Sequence, residues 1–305
     1  MSLVVVGSVA YDGVETPRGR VERMLGGAGT YISLSASYFT RVNLVGVVGD
    51  DFASEDREFL ASRGIDLTGL ETAPGKTFYW SCVYSDDMNE RTTLRTDLNV
   101  FAGFQPKLPE CYRSLPYLIL GNIQPALQLD VRGQLPAARL VAGDTMNLWI
   151  QTSREDLLAA IRGWDILLIN DSEARLLSGE HNLRRAAQAI VAMGPPTLVI
   201  KRGEYGAVLF HGDYRFSVPG YLLEEVWDPT GAGDCFLGGF VGYLAERNLD
   251  PRATGLDPKE LARAMVYGSA LGSFCCERFG VDRFRTLTRA EIDERFSEFK
   301  RLTDF

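Results

Sequence analysis

The segment Val226-Trp227-Asp228-Pro229-Thr230-Gly231-Ala232-Gly233-Asp234-Cys235-Phe236-Leu237-Gly238-Gly239-Phe240 concentrates residue types suited to a charged ligand. Gly231 and Gly233 let the backbone approach a bound group closely. Beyond them Phe236, Phe240, Tyr243 and Leu244 recur at helical spacing, so a helix starts here with one face buried. Its first turn leaves N–H groups unpaired and carries partial positive charge, which makes the turn an anion hole. Asp234 is the odd member. The helix dipole favours an acid in the first turn, and taken alone that accounts for it. Directly beyond a phosphate-sized cradle, however, a carboxylate repels the ligand unless it has a task. Phosphoryl transfer supplies one, because the donor's charge needs N–H groups and the attacking hydroxyl needs an acceptor for its proton.

Asp-Pro-Thr-Gly-Ala-Gly-Asp at 228–234, with Gly-Gly-Phe following, resembles the C-terminal signature of the ribokinase-like (PfkB) carbohydrate kinase family. The resemblance implies an ATP-dependent kinase that transfers the γ-phosphate to a hydroxyl of a sugar or sugar-like molecule, with Mg²⁺ as cofactor. It makes Asp234 the base and Gly231, Ala232 and Gly233 the anion hole. Other family landmarks follow in order along nearly the whole chain. Residues 4–12 resemble the first strand, which ends in an acid that binds acceptor hydroxyls, here Asp12. A carboxylate can accept two hydroxyl donors, which suits a sugar diol; by itself, Asp12 before Gly13 also reads as a turn. Gly26 and Gly27 resemble the glycine pair that meets the acceptor. Four residues on, Tyr31 stands where the family usually has an Asn that contacts sugar hydroxyls, so Tyr31 is expected to reshape the acceptor pocket away from ribose or fructose.

Asn170 and Glu173 match the family's Asn-x-x-Glu motif, which implies Mg²⁺ held near Glu173 through water; the same spacing is a helix capping pattern. Lys201, Gly203 and Gly206 resemble the strand end and turn beside the nucleotide, where a lysine could offset donor charge. Thr230 joins the nucleotide site by the same resemblance, and Asp228 with Thr230 could hold a monovalent cation, as in some members. Asn122 and Gln124, just past an apolar run at 117–120, are candidates for shaping the acceptor pocket. A nucleoside kinase is the alternative within the family, with Phe78 or Trp80 stacking on a base. A ligand sensor on a kinase fold is the alternative of another class.

Short apolar runs must position these residues: 3–6, 42–48, 117–120, 139–142, 165–169 and 197–200 read as strands. Helical spacing predicts helices over 29–39, 54–63, 153–161, 183–193, 232–247, 258–276 and 289–302. The alternation predicts a doubly wound, mostly parallel α/β sheet with helices on both faces. Residues 77–84 and 91–96 read instead as a β-hairpin that needs a partner, and 12–24 is the extended piece available. The expected division is an α/β domain of residues 1–11, 25–76 and 100–305 and a small β lid of 12–24 and 77–99.

The 305 residues carry a net charge of −8, so no basic field exists for nucleic acid or an anionic membrane surface. A small molecule is the expected partner, and the resemblance admits a homodimer joined through the β lid. Five cysteines without metal-ligand spacing, two scattered histidines and no long apolar run fit a reduced, cytoplasmic chain. Residues 69–77 come near a P-loop but place five residues between the glycines and lead into Phe78-Tyr79-Trp80 rather than a helix, so that reading fails.

Overall fold

Apolar runs too short for helices, bounded by turn residues, become strands buried on both faces. The computed structural model describes residues 2–253 and 255–303; the outer bounds expected for the larger domain, residues 1 and 305, lie outside them. In chain order the strands are β1 (Ser2–Val6), β2 (Ala10–Thr16), β3 (Gly19–Gly26), β4 (Arg41–Gly49), β5 (Ile65–Ala73), β6 (Phe78–Tyr84) and β7 (Arg91–Asp97). They continue with β8 (Tyr117–Leu120), β9 (Leu140–Asp144), β10 (Ile166–Asn170), β11 (Thr197–Lys201), β12 (Ala207–His211) and β13 (Tyr214–Val218). The helices are α1 (Ala28–Ala36), α2 (Ser54–Ser62), α3 (Pro125–Gln134), α4 (Asn147–Thr152) and α5 (Arg154–Ile161). After them come α6 (Asp171–Ser178), α7 (Leu183–Val191), α8 (Ala232–Glu246), α9 (Pro258–Cys275) and α10 (Arg289–Leu302).

The main sheet has the order β13-β12-β11-β10-β9-β8-β1-β4-β5. Its neighbours are parallel except where β12 pairs with β11 and β13. Alternation along β1 divides two cores. Leu3 and Val5 pack with α1, α8 and α9, whereas Val4 and Val6 pack with α3, α5 and α7. Each aliphatic side chain so buried stabilises by roughly 1.5–3 kcal/mol, which fixes the frame from which the loops project. Strand order reverses between β1 and β8, and at such a reversal the crevice beyond the strands' carboxyl ends receives the ligand.

A second sheet has the order β3-β2-β6-β7. It reaches beyond the expected segment 12–24, because β2 and β3 pair from Ala10 opposite Gly26. Strands β5, β12 and β13 and helices α3, α4 and α6 were not expected. β5 carries Asp66, Thr68, Gly69 and Glu71 on an edge of the sheet, so it lacks the continuous apolar run of the inner strands. β12 and β13 turn through Gly212-Asp213, a short hairpin signal in a weakly apolar stretch. The cysteines are all free, and among the described residues no helix is long and apolar enough to cross a membrane.

Candidate active site

α8 begins where Gly231 takes φ 79° and ψ −4°, the left-handed region that an L side chain enters only with strain. A Cβ there would also stand 2.5 Å from the ring of Tyr31. The turn therefore rests directly on that ring. Tyr31 is 1% exposed and its buried hydroxyl has no hydrogen-bond partner among the described residues. Tyr31, expected to reshape the acceptor pocket, lies with its ring beneath the Gly231 turn.

Asp234 lies in the first turn of α8, half-buried at the bottom of a cleft. Burial pushes its carboxyl up to about 6, against the opposing pull of Lys201 and Arg91. Lys201 ends β11 and reaches across to the turn, its Nζ 2.7 Å from where a Cβ on Gly233 would sit. Asp144, which ends β9, is buried beside this group with Oδ1 unpartnered among the described residues. Burial, reinforced by the charge of Asp234, raises its pKa well above the usual carboxylate range. Sequence reasoning missed Asp144; an acid closing a buried strand at the sheet's carboxyl edge was the available signal.

Asn170 and Glu173 form a true capping box on α6: Asn170 Oδ1 accepts from the Glu173 N–H at 2.8 Å, and Glu173 Oε2 accepts from the Asn170 N–H at 3.0 Å. Capping and site placement coincide, because Glu173 also faces Asp234 and Lys201, and burial raises its pKa. Among the described residues no three His, Cys, Asp or Glu side chains converge as a metal cage. Glu173, with Asp144 nearby, fits an Mg²⁺ that retains its waters. Gly203 and Gly206 bound the turn after Lys201, both at positive φ.

Asp228 is fully buried, its two oxygens accepting from the N–H groups of Thr230 (2.9 Å) and Gly280 (3.0 Å). The Thr230 carbonyl accepts from the Cys275 thiol at 3.2 Å. These hydrogen bonds hold the turn in shape, and each of the three accepting oxygens keeps a second lone pair.

On the acceptor side, Asp12 lies against Gly26, where a Cβ would fall 2.0 Å from its Oδ2. Burial pushes Asp12 up to about 8, reinforced by the charges of Asp228 and Asp234, while the Gly27 N–H lowers it. The charges of Asp12 and Asp234 are thus within electrostatic reach of each other. The amide of Asn122 is occupied: its Oδ1 accepts from Trp149 Nε1 at 2.8 Å and its Nδ2 donates to Met146 Sδ at 3.1 Å. Asn122 thus ties the β8 loop to α4, with one N–H and one lone pair of its amide remaining. Gln124 is the N-cap residue of α3, its side chain exposed.

The second sheet closes over this cleft. Thr16 Oγ1 donates to the Trp227 carbonyl (3.0 Å), Tyr84 OH pairs with Thr230 Oγ1 (3.1 Å), and Asn89 Nδ2 donates to Glu204 Oε1 (3.3 Å). The β6–β7 hairpin therefore spans from the acceptor side to the Gly203 turn. Arg91, at the start of β7, brings positive charge toward Asp234 and Glu173. No local pattern pointed to Arg91, because its place depends on which hairpin register forms.

An open cleft of about 660 Å³ lies at the opposite ends of the strands. Its charges are satisfied locally: Arg41 pairs with Asp66 at 3.4 Å and Arg63 lies 4.8 Å from the Tyr38 ring centroid.

The family model for the pfkB family carbohydrate kinases matches residues 1–286. A cytidine kinase of Thermococcus kodakarensis is 32% identical over 255 residues, covering 82% of this chain and 91% of the relative. The nucleoside kinase of Methanocaldococcus jannaschii superposes with a TM-score of 0.76 at 20% identity, over 97% of this chain and 98% of that one. An Escherichia coli protein assigned provisionally as ribokinase II, in complex with ATP and Mg²⁺, gives 0.78 at 20% identity, over 98% and 100%. The chain belongs to the pfkB family of carbohydrate kinases and is an ATP-dependent phosphotransferase acting on a hydroxyl of a sugar or nucleoside.

Proposed function

We propose that the chain phosphorylates a hydroxyl on the sugar of a nucleoside, with Asp234 as the general base. One observation carries the reading: the Asp234 carboxyl stands beside the Gly231–Gly233 turn, facing Lys201 across the same gap that Asp12 borders. With its pKa near 6, the Asp234 carboxyl is ionised at neutral pH and can accept a proton. Asp12 receives hydroxyl donors of the sugar and orients it. As the remaining hydroxyl oxygen attacks the γ-phosphorus, its proton passes to Asp234, and ADP departs. The N–H groups of Gly231 and Gly233 stabilise the charge that develops on the transferring group, with Lys201 on the body side and Arg91 on the sheet side; the Ala232 N–H joins them by turning from the Pro229 carbonyl, to which it donates at 3.2 Å. Glu173, positioned by Asn170, would hold Mg²⁺ through waters, and the ion would supply positive charge to offset the donor phosphates. Gly203, Gly206 and Thr230 border the donor nucleotide. The second sheet acts as a lid that excludes water.

A nucleoside is favoured over a free sugar because the Thermococcus relative is a cytidine kinase and the Methanocaldococcus neighbour a nucleoside kinase. The test measures ADP release with MgATP against a panel of nucleosides and free sugars, for the native chain and Asp234→Asn. Nucleosides should be the better acceptors, and the variant should lose roughly 10²–10⁴ in kcat while still binding ATP. Native turnover in Asp234→Asn would remove the base assignment, and turnover of sugars alone would return the acceptor to that class.

A further inference from the structure

Two aromatic residues of β6 are candidates for holding a base, and the fold treats them differently. Phe78 is stacked on Phe101, with centroids 5.2 Å apart and planes 14° apart, and Phe101 in turn stacks on Phe104 at 5.5 Å. That ring is already partnered. Trp80 makes no ring–ring contact among the described residues and is half-buried.

Three observations place Trp80 at the acceptor. In the parallel pairing of β2 with β6, Trp80 stands directly beside Asp12. Its ring lies on the cleft-facing side of the second sheet, packed with Val14, Cys82 and Tyr84, and Tyr84 reaches Thr230 from that same side. The Arg91 guanidinium sits 5.6 Å from the Trp80 ring centroid, toward the outer limit of a cation–π contact, and Arg91 is exposed. A planar, electron-poor group thus already lies near the indole face, where a heterocycle of similar shape can stack.

We infer that Trp80 is the platform for the acceptor's heterocyclic base. A nucleoside whose sugar hydroxyls engage Asp12 presents its base to the next residue along the same row of side chains, which is Trp80. The indole stacks on the base without reading its edge, so it selects for the presence of a base over its identity. The inference rests on the nucleoside reading above and adds the residue that distinguishes a nucleoside from a free sugar.

The test compares Trp80→Leu and Trp80→Phe with the native chain, using cytidine, uridine, adenosine and D-ribose as acceptors with MgATP. Trp80→Leu should raise KM for nucleosides roughly 10–100-fold, change kcat little and leave KM for ribose unmoved, while Trp80→Phe recovers most of the loss. Nucleoside titration without ATP should quench native tryptophan fluorescence and lose that quench in Trp80→Phe. If nucleosides are good substrates and Trp80→Leu leaves their KM intact, or raises it equally for ribose, the base binds elsewhere and the acceptor reading survives alone. If the native chain phosphorylates ribose or other sugars but no nucleoside, the acceptor reading and the platform both fall, and ATP-dependent transfer still stands.

Discussion

The two walls of the cleft are built to different standards. On the body side each group is held from several directions. Asp234 is fixed by the first turn of α8, Glu173 by a reciprocal capping box, and Lys201 by a strand end that runs against Gly233. Behind them Tyr31 fills the space under the turn. On the sheet side Trp80 is half-buried, Arg91 is exposed, and β7 is an edge strand open to solvent along most of its length. Groups that stabilise developing charge must not reorganise during the reaction, so they belong on the packed wall. Groups that admit, select and enclose the acceptor must move, so they belong on the loose one.

Breaking the rigid wall at its hinge should have the largest effect. Gly231→Ala places a side chain in left-handed backbone and against the Tyr31 ring, so stability and the aim of three N–H groups suffer together. The expected loss is roughly 10² or more in kcat, as for removal of one oxyanion donor, together with a lowered unfolding midpoint. Adding Tyr31→Leu should relieve the collision and restore part of the stability without restoring turnover. Full recovery of kcat in the double variant would show that steric support, and not backbone geometry, was the limiting factor.

Comparing the two cations sharpens the same contrast. Lys201→Met should lower kcat by roughly 10–10³-fold, because its charge acts inside the packed wall. Arg91→Gln should cost about 10-fold or less, because an exposed charge is screened. Raising the salt concentration should shrink the Arg91 effect and leave that of Lys201. Equal losses at all salt concentrations would mean that the second sheet closes tightly enough to desolvate Arg91 completely.

The packed wall also leaves a signature in stability. Asp234 and Asp12 have pKa values raised from 3.8 to about 6 and about 8, so the folded chain keeps protons that the unfolded chain has released. Stability from these groups therefore falls as pH rises above about 4, first through the Asp234 pKa and then through that of Asp12. Asp234→Asn should stabilise the chain at pH 7 by up to about 3 kcal/mol, and flatten the decline between pH 4 and 6. In the native enzyme kcat/KM should rise with pH through about 6 as the base ionises. Thermal melts of both proteins across this range check the sign.

What the sequence revealed follows the same division. The inner strands, the α8 turn and the Asn170–Glu173 cap were legible because local pattern alone specifies them: unbroken apolar runs, glycines before a helical period, and an N-cap with its partner. The edge strands β5 and β13 escaped because an edge strand mixes polar residues into its pattern, and β12 because its short apolar run of Ala207–Phe210 directly follows the glycine turn. Arg91 and Asp144 join the site only through hairpin register and strand order, which no local spacing encodes. Tyr31 stood out by its position, but only the packing shows Gly231 lying on its ring.

The smallest expected effect concerns the Asp228 turn. Asp228 accepts a backbone N–H on each oxygen, and the Thr230 carbonyl takes the Cys275 thiol, so the turn holds its shape without an ion. Each of those oxygens keeps a second lone pair, so a monovalent ion would add ligands to a turn already formed. Replacing potassium by tetramethylammonium at constant ionic strength should therefore change kcat and KM little. A clear fall in kcat on that exchange would show that the turn needs an ion to keep its working shape, and that this part of the packed wall is as mobile as the sheet facing it.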